Sequence, residues 1–243
     1  MKSTNLAHFL TPQDKLIIAL DNVNDLPEVH KLIEVTSPYA SWYKAGLETL
    51  TAFGSNKMAR IIKSHGKKMM NDGKYHDIPN TVGNATDKLS SLYADMMTLH
   101  CCNGVRALKE AVAKKGDIIT LGVTVLTSHS EEECQDIFGG SVNDTVLKFA
   151  RYALEAGLGG IVCSAKDLEM LSEYPEFGSL YKVTPGIQPV SMAGNDQRRT
   201  KTPAEAIKLG ASALVIGRAI TGSGNPGEAA KMIMEEIAEA MTA

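Results

Sequence analysis

Lysine and aspartate residues alternate in a short segment of the chain, "DGKYHD", which contains Asp72, Lys74 and Asp77. In an extended strand, side chains two residues apart point to the same face, so Asp72 and Lys74 are predicted to project together from a strand end. A neighbouring carboxylate favours the charged form of an ammonium group. The segment therefore predicts a protonated Lys74 that can donate a proton to a carbanion.

Two further features bear on this cluster. Lys44, in "SWYKAG", precedes it by one strand and would extend the array to Lys, Asp, Lys, Asp. Asp77 lies in the following loop, from which it would approach Lys74 or reach a neighbouring subunit. Charge spacing alone fits an ordinary solvated ion-pair cluster equally well.

The elements that must position these residues follow a regular pattern. Short apolar runs alternate with longer amphipathic segments, which is typical of α/β proteins. Eight runs are predicted to form strands: Lys15 to Asp21, Ser41 to Leu47, Lys67 to Lys74, Ala94 to His100, Ile118 to Leu126, Gly159 to Ser164, Leu180 to Gly186 and Ser212 to Arg218.

The intervening segments carry helix start and stop signals. "TDKLSSLYADM" has helical spacing, and "NDTVLKFARYALEAG" begins with the capping candidates Asn143 and Asp144 and ends at Gly157. In "TPAEAIKLGA", Thr202 is the predicted N-cap and Gly210 lies past the helix end. These segments predict helices between the strands.

Repeated strand and helix signals in 243 residues predict a single-domain (β/α)8 TIM barrel over residues 1–243, because this fold typically has about 250 residues. No segment rich in Pro, Gly or Ser divides the chain. An open doubly wound sheet is the alternative, but it normally has fewer strands and often a Gly-rich first turn. The segment "NVNDLPE" after Asp21 lacks that glycine pattern, which favours the barrel.

Composition argues against several classes of function. The chain has 25 basic and 28 acidic residues, which are scattered, so nucleic-acid binding is not expected. The amino terminus lacks the layout of a secretory signal, and no apolar run reaches the roughly 18 residues that span a bilayer, so we predict a cytoplasmic protein without membrane contact. The four cysteines lack metal-ligand spacing and are predicted to be reduced, mostly buried thiols.

In a (β/α)8 barrel, catalytic groups lie at the carboxyl ends of the strands and in the loops that follow. The residues predicted at those ends are Asp21, Lys44, Asp72, Lys74, His100, Thr127, Ser128, Ser164, Gly186 and Arg218. His100 is predicted to be a hydrogen-bonded structural histidine and His76 to have a supporting role. Neither has the neighbours that a metal site needs, so no metal is expected.

The segment "DGKYHDIPNTV" resembles the D-x-K-x-x-D-I-P-N-T signature of the orotidine 5′-phosphate decarboxylase family. "LIIALD", "YKAGLE", "VTVLTS" and the segment from "VTPGI" to "VIGRAIT" are similar to further parts of that family, in the same order, from about Lys15 to Pro226. The resemblance implies a carboxy-lyase of pyrimidine biosynthesis that converts orotidine 5′-monophosphate (OMP) to UMP. It also implies a homodimer that needs no cofactor.

The resemblance implies roles for the charged residues. Lys74 matches the lysine that protonates C6 of the pyrimidine after CO2 departs, and Asp72 matches the aspartate that faces the leaving carboxylate. Lys44 matches the lysine that binds Asp72 and the ribose. Asp77 matches the aspartate contributed across the dimer interface to the other subunit's site, and Asp21 matches a residue that binds ribose hydroxyls.

Other matched positions would surround the pyrimidine. Thr127 and Ser128 match residues that contact the pyrimidine edge. Ile78 and Thr81 would border the same pocket.

A third group of matched positions would bind the phosphate. Gly217 and Arg218 match residues that bind it directly, and Gln197 matches a glutamine on a mobile loop, here Pro189 to Lys201. Many bacterial members have arginine after "TPGI", where this chain has Gln188, which can donate a hydrogen bond but lacks the charge.

Two alternatives stay open. Sugar-phosphate decarboxylases and hexulose-phosphate synthases share D-x-K-x-x-D, use Mg²⁺ and typically lack "DIPNT". A non-catalytic binder of phosphoribosyl ligands is the second alternative. Binding alone, however, does not need a like-charged carboxylate beside an anionic ligand.

Overall fold

The computed structural model describes residues 9–189 and 201–242. Within them, eight parallel strands pair in chain order, and the first strand closes on the last to form a barrel. Strands β1 to β8 span Leu16–Ala19, Trp42–Gly46, Lys68–Tyr75, Met96–His100, Ile119–Val123, Gly160–Val162, Tyr181–Pro185 and Ala213–Ile216. Each predicted run overlaps one strand, so the (β/α)8 barrel prediction is confirmed.

Helices surround the barrel. Helices α1 to α12 span Pro12–Lys15, Leu26–Thr36, Leu47–Phe53, Ser55–Ser64, Pro79–Ser91, Gly104–Lys114, Glu131–Phe138, Val142–Ala156, Ala165–Ser172, Pro203–Lys208, Arg218–Thr221 and Pro226–Thr242. Short 3-10 turns lie at Cys101–Asn103 and Pro175–Ser179. The last helix, α12, contacts both α1 and α2, so the first and last described elements lie side by side.

Two of the predicted helix ends are confirmed. Thr202 caps α10 by accepting a hydrogen bond from the Glu205 N–H, and Gly157 ends α8 in the left-handed conformation. The predicted start of α8 is wrong, because Ser141, and not Asn143 or Asp144, accepts the capping hydrogen bond.

The helix predicted in "TDKLSSLYADM" has the wrong bounds. Helix α5 starts at Pro79, whose fixed φ suits the first helical turn, and ends at Ser91. The residues that follow form the connection to β4, which begins at Met96.

The apolar core has two layers, because the strands of the barrel are covered on both faces. Inside the barrel lie Ile17, Trp42, Met70 and Met96, whereas a larger set of apolar residues fills the space between strands and helices. Since side chains alternate along a strand, positions two residues beyond these inner residues point to the carboxyl-terminal mouth. That rule places Lys44, Asp72 and Thr98 above the inner core.

The cysteines behave as predicted, and Asn71 lies on the outer face of β3. Asn71 is fully buried and points away from the barrel interior, where its amide donates to Ser55 Oγ at 3.0 Å. All four cysteines are free thiols, with three buried and Cys102 half-buried. No helix within residues 9–189 and 201–242 has the length and apolarity that crossing a bilayer requires.

Candidate active site

A cavity of about 530 Å³ opens at the carboxyl ends of the strands, a volume typical of small-molecule sites. It brings together ten of the predicted site residues: Asp21, Lys44, Asp72, Lys74, Thr127, Ser164, Gly186, Gln188, Gly217 and Arg218. Val123, Val125, Leu126 and Val162 give its remaining wall an apolar character. The cavity therefore combines a charged region, an apolar wall and a region with one arginine.

The charged residues form one connected network. Lys44 Nζ lies 2.8 Å from Asp21 Oδ2 and 3.3 Å from Asp72 Oδ2, and Lys74 Nζ lies 2.8 Å from the same Asp72 oxygen. Only 7% of Lys44 and of Asp72 is exposed. Such contacts between largely desolvated charges are stronger than those on an open surface, so the interpretation as a solvated surface cluster is wrong.

Asp72 is held through both of its oxygens. Oδ2 faces the two ammonium groups, whereas Oδ1 accepts a hydrogen bond of 2.9 Å from the Thr98 hydroxyl on β4. A carboxylate bound on both oxygens has little freedom to rotate. The network therefore presents the two lysines to the cavity in a defined arrangement.

Asp72 and Lys74 meet, but not through the regular strand alternation that predicted their contact. Asn71 pairs with Met97 and Tyr75 pairs with Leu99, so residues 72–74 of β3 lie opposite Thr98 alone. The extra residues form a bulge, in which Lys74 has a left-handed backbone with φ of 49°. The bulge, and not alternation, aims the Lys74 side chain at Asp72.

Two glycines shape this region. A Cβ atom on Gly46, at the end of β2, would lie 2.5 Å from Asp21 Oδ1 and 2.7 Å from Lys44 Nζ, so the absent side chain makes room for the ion pair. The side of Gly73 that lacks a side chain is filled by a neighbouring residue. A Cβ atom there would lie 2.7 Å from Cε2 of the Tyr75 ring, which covers that side.

Asp21 retains one free acceptor. Its Oδ1 atom is buried and accepts no hydrogen bond from the described residues, although Oδ2 binds Lys44. The next residue, Asn22, also has a left-handed backbone, with φ of 60°. A buried carboxylate oxygen without a donor is costly, and a ligand hydroxyl in the cavity would satisfy it.

The region formed by β7 and β8 has a different character. Gly217 follows β8, which ends at Ile216, and Arg218 is the first residue of the short helix α11 and not the last residue of the strand, as predicted. Arg218 has no carboxylate partner in residues 9–189 and 201–242. Gln188 Oε1 is buried and has no hydrogen-bond donor among the same residues, so its amide is available to a ligand in the cavity.

Asp77, Ile78 and Thr81 are among the predicted residues that lie outside this cavity. Asp77 and Ile78 line a separate, open hollow with His76 and Asn103, and Asn103 Oδ1 accepts from the Asp77 N–H at 3.0 Å. Thr81 is exposed in α5. The single chain therefore does not bring these residues to Lys74.

The predictions for Ser128 and Gln197 have different outcomes. Ser128 is exposed in the loop after β5 and does not line the cavity, although its neighbour Thr127 does. Gln197 and most of the predicted lid between Pro189 and Lys201 lie outside the described residues.

His100 lies beside the charged network at the end of β4. Its ring centroid is 5.9 Å from that of His76, and the prediction that it is hydrogen-bonded is wrong for the described part of the chain. Burial lowers the pKa of the His100 imidazole below its usual value, and the charges of His76, Lys74 and His129 lower it further, whereas Asp72 opposes them. A neutral imidazole therefore borders the site at neutral pH.

Sequence reasoning missed Thr98 and Gly46. Thr98 follows Met96 by two positions, so the alternation that placed Lys44 and Asp72 at the mouth of the barrel was a sufficient signal. Gly46 carried no such signal, because its importance comes from a side chain on another strand.

The chain is similar to known proteins over most of its length. A model of the "Orotidine 5'-phosphate decarboxylase / HUMPS family" matches residues 14–233. A protein of Moorella thermoacetica named orotidine 5′-phosphate decarboxylase is 41% identical over 238 residues, which cover 93% of this chain and 92% of that protein. A protein of the same name from Prochlorococcus marinus is 40% identical, covering 93% of this chain and 97% of its own length.

Solved structures share the fold. The crystal structure of an orotidine 5′-phosphate decarboxylase from Lactobacillus acidophilus has a TM-score of 0.78 and 29% sequence identity, covering 91% of this chain and 98% of that chain. An uncharacterized conserved protein from Geobacillus kaustophilus has a TM-score of 0.76 and also 29% identity, covering 91% and 99% of the two chains.

Proposed function

Because this chain belongs to the orotidine 5′-phosphate decarboxylase / HUMPS family, we propose that it decarboxylates OMP to UMP in pyrimidine biosynthesis. The observation that carries the proposal is the network of Lys44, Asp72 and Lys74 at the cavity, in which Lys44 and Asp72 are buried and Lys74 Nζ lies 2.8 Å from the Asp72 carboxylate. A site that only binds a nucleotide has no need of a carboxylate in that position.

The chemistry follows from the charge that develops during the reaction. When the bond between C6 and the carboxylate breaks, its electron pair stays on C6, and the ring delocalises this pair poorly. The Lys74 ammonium group stabilises the developing negative charge because it is already in place within a partly enclosed cavity. Lys74 then transfers a proton from Nζ to C6, which gives UMP, and the resulting amine regains a proton from solvent.

Asp72 has two roles in this scheme. It holds Lys74 and Lys44 through one oxygen, and it faces the carboxylate that leaves as CO2. Fixing the two lysines before substrate arrives avoids reorganisation of charge during the reaction.

The rest of the substrate is assigned to the remaining lining residues. The free Oδ1 of Asp21 accepts a hydrogen bond from a ribose hydroxyl. Lys44 contacts both the ribose and the Asp72 carboxylate. Arg218 binds the phosphate by a charge-assisted contact, with the Gly217 N–H, Gln188 and Gln197 contributing hydrogen bonds.

The pyrimidine lies against the apolar wall, with Thr127 and Ser128 at its edge. This orientation directs C6 and its carboxylate towards Lys74 and Asp72. No metal or cofactor takes part in the scheme.

We also propose that residues 1–243 form one domain, that the protein is cytoplasmic and that it acts as a homodimer. Strands β1 and β8 pair directly and α12 contacts α1, which supports a single folding unit. In the dimer, Asp77 of each subunit completes the other subunit's site, with Ile78 and Thr81 beside it. Its position in an exposed hollow, away from Lys74 of its own chain, supports this assignment.

The direct test is absorbance-monitored conversion of OMP to UMP by the purified protein in the presence of EDTA. We expect full turnover. Activity that is lost with the chelator and restored by Mg²⁺, together with turnover of sugar phosphates, would instead identify a sibling metal-dependent enzyme. Binding of UMP without turnover of OMP would identify a binding protein.

The shared site can be tested by mixing two inactive variants, Lys74→Ala and Asp77→Ala. In a mixed dimer one site carries both substitutions and the other carries neither, so random exchange of subunits restores about a quarter of wild-type activity. A mixture of Lys74→Ala with the Lys74→Ala, Asp77→Ala double variant is the control and should stay inactive. No recovery in the first mixture would contradict the shared site.

A further inference from the structure

We propose that Thr98 is a positioning residue for decarboxylation, because its hydroxyl group fixes the Asp72 carboxylate and the Lys74 backbone at the same time. This inference rests on the proposed function. Thr98 lies on β4, has no exposed surface and does not itself line the cavity. It therefore acts through the two residues that it contacts.

The hydrogen bonds of Thr98 have only one possible direction. The Lys74 backbone N–H can only donate, and it donates to Thr98 Oγ1 at 3.0 Å. The Asp72 carboxylate can only accept, so the hydroxyl proton points to Asp72 Oδ1 at 2.9 Å. A hydroxyl group has one proton and two lone pairs, and both bonds can form together.

The position of Thr98 explains why one side chain serves both residues. Residues 72–74 lie opposite Thr98 alone, so β4 offers this part of β3 fewer backbone groups than a regular ladder would. The Thr98 hydroxyl accepts from the Lys74 N–H at this point. It also helps to hold Lys74 in a left-handed conformation, which a non-glycine residue adopts only when its surroundings enforce it.

The bond to Asp72 determines which oxygen meets the lysines. With Oδ1 engaged by Thr98, Oδ2 is directed at Lys44 and Lys74. Without the hydroxyl, Oδ1 would be a buried charged acceptor with no donor, and the carboxylate would rotate to recover one. The distance between Lys74 Nζ and C6 of the substrate would then change, although the phosphate-binding groups that follow β7 and β8 would stay in place.

Three substitutions test this role. Thr98→Val keeps the shape but removes the hydroxyl, Thr98→Ser keeps the hydroxyl, and Thr120→Val is a matched control on β5. Thr120 is also fully buried, but its Oγ1 has no hydrogen-bond partner among the described residues. The measured quantities are kcat and KM for OMP, with kcat expressed per UMP-binding site so that misfolded protein does not count.

We expect Thr98→Val to lower kcat about 10- to 100-fold with KM changed less than about threefold, the loss typical of a hydrogen bond to a buried charged group. Thr98→Ser should stay within about threefold of wild type, and Thr120→Val should be unchanged. Equal kcat in Thr98→Val and Thr98→Ser would overturn the proposal. So would an equal loss in Thr120→Val, because it would indicate a general effect of altering buried threonines.

A measurement independent of turnover separates this proposal from the proposed function. Amide hydrogen exchange at Lys74 should be slow in the wild type and in Thr98→Ser, and at least about tenfold faster in Thr98→Val. Protection that does not change would overturn the role of Thr98 even if the protein decarboxylates OMP. If the wild type does not convert OMP, the proposed function fails. The exchange result still tests whether the Thr98 hydroxyl holds the Lys74 N–H.

A second variant covers the case in which Thr98→Val does not fold. Thr98→Cys keeps a weak donor of similar size. Its kcat should therefore be lower than that of Thr98→Ser. A kcat equal to that of the wild type would overturn the proposal.

Discussion

Four charged side chains at the ends of β1 to β3 neutralise one another, whereas the guanidinium group at the end of β8 has no carboxylate partner in residues 9–189 and 201–242. The first region, formed by Asp21, Lys44, Asp72 and Lys74, is joined by contacts of 2.8 to 3.3 Å. In the second, Arg218 and the buried Gln188 Oε1 remain available. Both regions line one cavity, but only in the first are the charges paired with one another within residues 9–189 and 201–242.

This difference indicates that the two regions of the site have different functions. Groups that stabilise a transition state are most effective when they are in place beforehand, and the β1 to β3 region meets that condition. Groups that bind a phosphate gain their partner from the ligand, so an arginine without an internal carboxylate suits the β7 and β8 region. Substitutions in the two regions should therefore change different kinetic constants.

The largest effect is expected for Lys74→Ala, because it removes both the stabilising charge and the proton. We expect kcat for OMP to fall about 10⁴-fold or more, with UMP affinity changed less than about tenfold. Lys63→Ala is the control, since Lys63 also pairs with an aspartate, Asp95 at 2.6 Å, but lies outside the cavity. A Lys74→Ala enzyme that retains turnover would remove the chemical role from this region.

Arg218→Ala should have the next largest effect, and it should appear in KM. Loss of a charge-assisted phosphate contact is expected to raise KM for OMP about 100-fold, with a smaller change in kcat. The control is Arg151→Ala, because Arg151 stacks on Tyr174, 5.7 Å from the ring centroid, and is exposed. A loss confined to kcat would contradict the division between the two regions.

Gly46→Ala tests whether the ion pair of Asp21 and Lys44 needs the space that Gly46 leaves. The added Cβ would lie 2.5 Å from Asp21 Oδ1, so Asp21 and Lys44 must separate, and we expect kcat/KM to fall about tenfold. Gly178→Ala is the matched control, since nothing lies within 4 Å of the Cβ it would add. Steady-state kinetics and thermal unfolding of both variants provide the measurement. Equal activities would show that the ion pair tolerates displacement.

His100→Gln should have the smallest effect, and only at acid pH. Since the folded protein lowers the pKa of His100 below its usual 6.5, the unfolded chain binds the proton more readily. The free energy of unfolding of the wild type should therefore fall as pH drops through about 6.5 and below. Urea unfolding at several pH values should give a flatter pH dependence for the variant. Parallel curves would contradict this expectation.

The sequence predicted features that depend on local residue patterns. Strands with continuous apolar runs and the Thr202 cap could be predicted because short segments determine them. The lysine and aspartate cluster was also predicted, since its members lie at strand ends.

Features that depend on contacts between distant segments were not predicted. The bulge in β3 arises from how β3 pairs with β4, and the importance of Gly46 arises from Asp21. The start of α8 at Ser141 was missed for a local reason, because several neighbouring residues have similar capping ability. The sequence left open whether Asp77 approaches Lys74 or points outward, and its N–H donates to Asn103 Oδ1 on another segment.

The bulge in β3 matters for anyone who would transplant this catalytic pair into a designed protein. A regular strand with the spacing D-x-K would reproduce the residue types but not the left-handed backbone that directs Lys74 at Asp72. A working graft must therefore include the extra residues of the bulge and a hydroxyl-bearing residue on the adjacent strand. The smallest transferable unit is thus a pair of strands, and not a short linear motif.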